Sequence, residues 1–82
     1  MYAHLSKYVN TFVGSIEDAQ AWYERIGKPV PYRAEFNPMS SRWLIMKSDN
    51  TCQAAGLSES EAKIGVMYHI NLEIQRGINQ AA

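Results

Sequence analysis

The chain has a single cysteine, two histidines, three prolines and no surplus of either charge. A lone Cys52 excludes an internal disulfide and any zinc site built on cysteines, and it suits a reducing compartment. Eight Lys and Arg balance eight Asp and Glu, giving a formal charge of zero. Phosphate neutralisation supplies most of the affinity of a nucleic-acid binder, so this balance argues against DNA or RNA as a partner. No apolar run approaches the roughly 18 residues of a membrane span, and the first residues form no hydrophobic signal region. We therefore expect a soluble, cytoplasmic chain with no membrane partner. P-loops, dinucleotide fingerprints and Ser-His-Asp arrangements have no foothold, and Cys52 has no histidine near it in sequence. The balance favours a non-enzymatic protein, and no motif calls for a cofactor.

Aromatic residues, by contrast, are plentiful. Two tryptophans, five tyrosines, two phenylalanines and a 46% hydrophobic fraction fit a globular domain. At 82 residues the chain reads as one domain, 1–82, with 1–7 a patternless lead-in and 75–82 a polar tail. A domain this short buries only about 60% of the surface its unfolded chain exposes. Apolar surface is left over for a partner or for a second copy, and we expect a homodimer.

Along the chain, Tyr8 to Val13 is rich in strand formers and stops at Gly14. Helix signals then follow closely. Ser15 is a good N-cap, Glu17 and Asp18 sit in the first turn, and Ile16, Ala19, Tyr23 and Ile26 share one face. Arg25 lies in the last turn, Gly27 stands where a left-handed cap is wanted, and Pro29 prevents continuation. Val30, Tyr32, Ala34 and Phe36 alternate with Pro31, Arg33 and Glu35, which predicts a second strand; Pro31 near its start suggests a sheet edge. After a turn over 37–41, Arg42 to Lys47 predicts a third strand, apolar on both faces as if covered on both sides. Residues 52–63 read as a long connection, with room for a helical turn at Ser58 to Ala62.

Ile64 to Ile74 dominates the second half. Ile64, Val66, Tyr68, Ile70, Leu72 and Ile74 alternate with Gly65, Met67, His69, Asn71 and Glu73. That period of two predicts a strand with one apolar face and one mixed face carrying His69, Asn71 and Glu73. A helix is the competing template. Ser58 with Glu61 has the form of a capping box, and Ala62, Val66, Met67, Ile70, Ile74 and Ile78 make a helical stripe, but that stripe leaves Tyr68 and Leu72 off it. The strand accommodates them, so it is the reading we adopt. The expected fold is α+β: a single βαβββ module, its mainly antiparallel sheet packed on one helix and paired in a homodimer.

In that order of elements, YVNTFVGSIEDAQAWYERIG over Tyr8 to Gly27, continued by RWLIMKS and VMYHINLEI, resembles one module of the glyoxalase, bleomycin-resistance and extradiol-dioxygenase (vicinal oxygen chelate) superfamily. The resemblance spans about residues 8–76. It implies that two modules pair into a cupped sheet enclosing a metal or a small ligand, so a single-module chain would need a second copy. It further implies metal ligands at the start of the first strand and on the last strand. The first of these positions is Tyr8 here, with His4 too far upstream; the second is Glu73 or Asn71, with His69 on their face. An incomplete donor set favours ligand binding without metal, as in the drug-sequestering members of the family.

Three functional readings follow. A dimeric module could bind a small molecule at a site containing Tyr32, Trp43 and His69, whose aromatic faces suit a planar ligand. A protein-interaction or inhibitor module, of the kind phages and other mobile elements encode, would act on a host protein through the Val30 to Phe36 edge. A metal-dependent lyase or isomerase would rest on His69 and Glu73, helped by a residue of the other subunit. For each of these residues the plainer alternative is a packed or solvated side chain, and for Trp22 core packing is the reading adopted.

Overall fold

The computed structural model describes residues 11–81. Helix α1 spans Ile16–Ile26, strands β1, β2 and β3 span Tyr32–Asn37, Arg42–Lys47 and Cys52–Leu57, and helix α2 spans Glu59–Ala81. The strands form one antiparallel sheet in the order β1-β2-β3, leaving β1 and β3 as its edges. The class is α+β with an antiparallel sheet, as the sequence predicts.

Helix α1 forms where its signals place it. The Ser15 Oγ accepts from the Asp18 N–H at 3.1 Å, and Glu17 and Asp18 face the positive end of the helix dipole. Its end is a Schellman closure: Gly27 adopts φ 71°, its N–H donates to Glu24 O, and the Lys28 N–H donates to Tyr23 O. Ala19 and Tyr23 are buried, whereas Ile16 and Ile26 at the two ends stay partly exposed.

The two hairpin turns are made by short polar side chains. Asn37 Oδ1 accepts from the Met39 N–H, and Asp49 Oδ1 accepts from the Thr51 N–H and hydroxyl. Asn50 takes φ 68°, a left-handed conformation that asparagine tolerates well.

Several expectations need correction. Ile64 to Ile74 is not a strand but the middle of α2. The capping box is real and reciprocal: Ser58 Oγ accepts from the Glu61 N–H at 3.2 Å while Glu61 Oε1 accepts from the Ser58 N–H at 3.0 Å. From that start, Ala62, Val66, Ile70 and Ile74 recur every fourth residue, and all are buried against the sheet and α1. Ile64, Tyr68 and Leu72 form a second row of the helix and are only half-buried. Residues 52–57, read as a connection, are strand β3; CQAAGL has little strand propensity of its own and is held by pairing with β2. Residues 75–81, read as a tail, continue α2. Of the expected first strand, Tyr8 to Asn10 lie outside the described residues, as does the lead-in 1–7, and Thr11 to Val13 are not in a strand. The described chain therefore has two helices rather than one, with α2 making the main contact with the sheet.

Helix α2 covers one face of the sheet, and α1 joins the same core through Ala19 and Tyr23. Ile45 of β2 is fully buried beneath them, and Leu57, Ala34, Trp43 and Ala54 pack against the same cluster. Leu44 and Met46 point to the other face and take no part in that core, so among the described residues β2 is covered on one side only.

Asn71, expected on a polar strand face, is 6% exposed and lies inside. Its Oδ1 accepts from the N–H groups of Phe12 (2.7 Å) and Val13 (3.0 Å), and its Nδ2 donates to Val13 O (3.1 Å) and Met67 O (2.9 Å). The side chain thereby ties the segment leading into α1 to the middle of α2.

Two measurements test this packing. Ile70→Ala should cost about 2–5 kcal/mol in urea unfolding, and Tyr68→Ala less than half as much; equal losses would restore the strand. Asn71→Leu should cost about 2–4 kcal/mol, because it strands the backbone groups of Phe12 and Val13. Asn71→Asp should also destabilise, since a carboxylate accepts both N–H groups but cannot donate to the two carbonyls.

Candidate functional site

The β1 edge is defined by backbone geometry. The Lys47 N–H donates to Thr51 O and the Lys47 carbonyl accepts from the Asn50 N–H, so the backbone of Lys47 faces the β3 side. Outward directions alternate along a strand, and Met46 therefore faces β1. Its register partner Arg33 must face back toward β2, as does Pro31, whose carbonyl accepts from the Ser48 N–H at 3.0 Å. By the same alternation Glu35 and Asn37 face β2, while Tyr32, Ala34 and Phe36 send their N–H and C=O groups away from the sheet. Among the described residues β1 pairs with β2 alone, and no hydrogen bond reaches the outward groups.

Beside this edge runs an open cleft of about 320 Å³. It is lined by Ile16 and Gln20 of α1, Val30, Tyr32 to Ala34 on β1, Trp43 of β2 and Lys63 of α2. Three consecutive β1 residues line it, which a strand can do only with its edge. The charged residues in the wall, Arg33 and Lys63, are both cations, and each already meets a carboxylate: Arg33 meets Glu35 at 3.5 Å, and Lys63 meets Glu59 at 2.8 Å. Ile16 is 36% exposed here, and Phe36, further along the edge, is 48% exposed with its ring 5.7 Å from that of Trp43.

Of the residues singled out from sequence, Tyr32 and Trp43 do share this cleft. His69 lies against Tyr32 without lining the cleft: the two rings stack at 5.0 Å, and Tyr68 meets the His69 ring edge-on at 5.3 Å. Glu73, one helical turn beyond His69, lines a smaller groove with Tyr32, Lys47 and Asp49 and pairs with Arg76. His69 and Glu73 thus share a helix face, and among the described residues no three His, Cys, Asp or Glu side chains converge as a metal site would require. The sequence reading missed Ile16, Gln20, Val30, Ala34 and Lys63 as parts of the cleft. The alternation over Val30 to Phe36 is a signal for Val30 and Ala34, whereas the helical spacing puts Ile16 on the core face of α1 and gives no sign of the cleft.

Burial, and next the carboxylate of Glu73, raise the hydroxyl pKa of Tyr32 and of Tyr23, so both stay protonated at neutral pH. Burial lowers the pKa of His69; Glu73 opposes that shift and Lys47 adds to it. The arrangement places aromatic faces and two cations beside a strand edge that is unpaired among the described residues. No family model matches the chain, and no curated protein and no solved structure matches it. No helix among the described residues is long and apolar enough to cross a membrane.

The lowered pKa of His69 has a consequence for stability. Unfolding releases the ring to its ordinary value, so just below pH 6.5 the unfolded chain binds more protons than the folded one. Stability should be complete above that value and decline as the pH falls through it. The melting temperature of the wild type should drop between about pH 7 and 5.5, and His69→Gln should flatten that part of the profile; an unchanged profile would refute the assignment.

Proposed function

We propose that this protein is a non-catalytic interaction module that accepts an extended segment of a protein partner along the β1 edge, its alternate side chains entering the cleft beside α1. The carrying observation is the row of outward backbone groups at Tyr32, Ala34 and Phe36 next to an apolar, aromatic-lined groove. Adding a strand gives affinity through main-chain hydrogen bonds, and pockets for every second side chain give selectivity. A protein-interaction module is the reading this edge supports best.

A second reading keeps a small molecule as the ligand, in a glyoxalase-like module completed by a second copy. Its support is that Tyr32 and Trp43 line one cleft of about 320 Å³, at the lower bound of ligand-sized pockets. The open shape of that cleft and its continuity with the strand edge favour the peptide.

The edge can be tested without a known partner by selecting linear peptides from a display library and mapping them by backbone NMR. Selected peptides should perturb the amides of Tyr32, Ala34 and Phe36. Ala34→Pro removes one outward N–H while leaving the β1–β2 ladder intact, so the variant should keep its fold and lose at least about tenfold in peptide affinity. Peptides that map elsewhere, or that bind Ala34→Pro as well as wild type, would refute the reading.

A further inference from the structure

We infer that the segment seated on the β1 edge is β1 of a second copy, antiparallel and centred on Ala34, so that two sheets join into one of six strands. This rests on the strand-accepting reading of the edge and names its partner.

The argument is one of self-complementarity. Two antiparallel copies of a strand related by a two-fold axis pair residue i with residue j at a constant sum. Outward backbone groups meet only if that sum is even, because Tyr32, Ala34 and Phe36 are the outward set. Three even registers give substantial overlap. Centred on Arg33, the strand opposes Arg33 to itself; centred on Glu35, it opposes Glu35 to itself. Like charges directly across a sheet are destabilising. Centred on Ala34, the register sets Arg33 opposite the partner's Glu35 and Glu35 opposite the partner's Arg33. These charge pairs fall at the positions without backbone hydrogen bonds, where opposed residues lie closest. Arg33 and Glu35 are 44% and 50% exposed as side chains and lie on the sheet face away from the helices. Arg33 also donates to Lys47 O and Asn50 Oδ1, yet a guanidinium carries five N–H donors, so capacity remains for a further carboxylate.

The helix-covered face agrees with the same register. Tyr32 stands opposite the partner's Phe36, and Ala34 opposite the partner's Ala34, the smallest pair at the point of closest symmetry. Phe36, nearly half exposed in one copy, is brought beside the cleft that Ile16, Val30, Tyr32 and Trp43 line in the other. An exposed aromatic ring and an apolar cleft sit at positions that the two-fold axis exchanges, and an aromatic anchor in a pocket is a common centre of interface affinity. Three backbone-paired positions supply about six hydrogen bonds.

Charge reversal tests the register directly. A short strand interface is small, so self-association should be followed by sedimentation over about 1–200 µM, with folding of each variant checked by circular dichroism and melting temperature. The wild type should dimerise. Arg33→Glu alone opposes Glu to Glu twice, and Glu35→Arg alone opposes Arg to Arg twice; each should weaken self-association at least about tenfold. Mixed together, the two variants should form a heterodimer, since one strand then carries two anions and the other two cations. A wild type that stays monomeric, a dimer indifferent to both reversals, or variants that fail to recover on mixing would each overturn the inference. Failure of the strand-accepting reading is distinguishable: Ala34→Pro would then leave both the selected peptides and any dimer unaffected, whereas a wrong partner alone would leave peptide binding at the β1 edge intact.

Discussion

The amide of Asn71 is the interaction on which the placement of the other parts depends. It has two acceptor positions and two donors, and all four are used on backbone: two N–H groups and a carbonyl of Phe12 and Val13, and the carbonyl of Met67 one turn back in its own helix. Burying an amide is costly unless it is fully bonded, and here the bonding partner is a segment that has no strand or helix of its own to satisfy it. The same contact therefore solves two problems. It hydrogen-bonds the backbone of residues 12–13, and it fixes where the chain enters α1. Two residues later Ser15 caps α1, and the next residue, Ile16, is a wall of the cleft. The position of that wall relative to β1 is thus set, through three short links, by a side chain in α2.

How much of this was legible depended on whether one residue pattern admitted one period or two. Helix α1 was readable because its capping residues, dipole-facing charges and terminal glycine all agree. Strands β1 and β2 were readable from alternation and from the turn residues between them. The segment from Ile64 to Ile74 satisfied both templates, since Val66, Ile70 and Ile74 are shared by a period of two and by the four-residue helical repeat. The deciding information lay at its ends and in one polar residue. The Ser58–Glu61 box starts a helix, and Asn71 is tolerable on the buried side of that helix because a backbone segment, distant in sequence, comes to meet it. That meeting is tertiary and leaves no local mark. Strand β3 was illegible for a related reason: Gln53, Ala54, Ala55 and Gly56 carry no strand preference, and pairing with β2 imposes the conformation.

The candidate site divides in the same way. Tyr32 and Trp43 could be named from sequence as aromatic candidates, and they do line one cleft. His69 sits behind Tyr32, because a helix rather than a strand carries it. The edge over Val30 to Phe36 was legible from Pro31 and the alternation, but which of its backbone groups point outward was not, since that is decided by the register against β2 and by the side that Lys47 turns to the β3 hairpin.

An exposed strand edge is a liability, and charged residues on it are a usual deterrent to indiscriminate pairing. Arg33 and Glu35 fit that role, but their spacing makes the deterrent selective. Two opposite charges separated by one residue repel their own copies in registers centred on either of them and attract in the register centred between them. A single charge would oppose itself only in the register centred on it, and two of the same sign would meet like charges in all three registers. The small residue between them, Ala34, and the aromatic residues flanking them, Tyr32 and Phe36, follow the same symmetry on the opposite face. Charge, size and backbone direction along YRAEF thus agree on the one mode of addition proposed above, and such agreement between independent properties of a strand is what would separate a specific edge from a merely unprotected one.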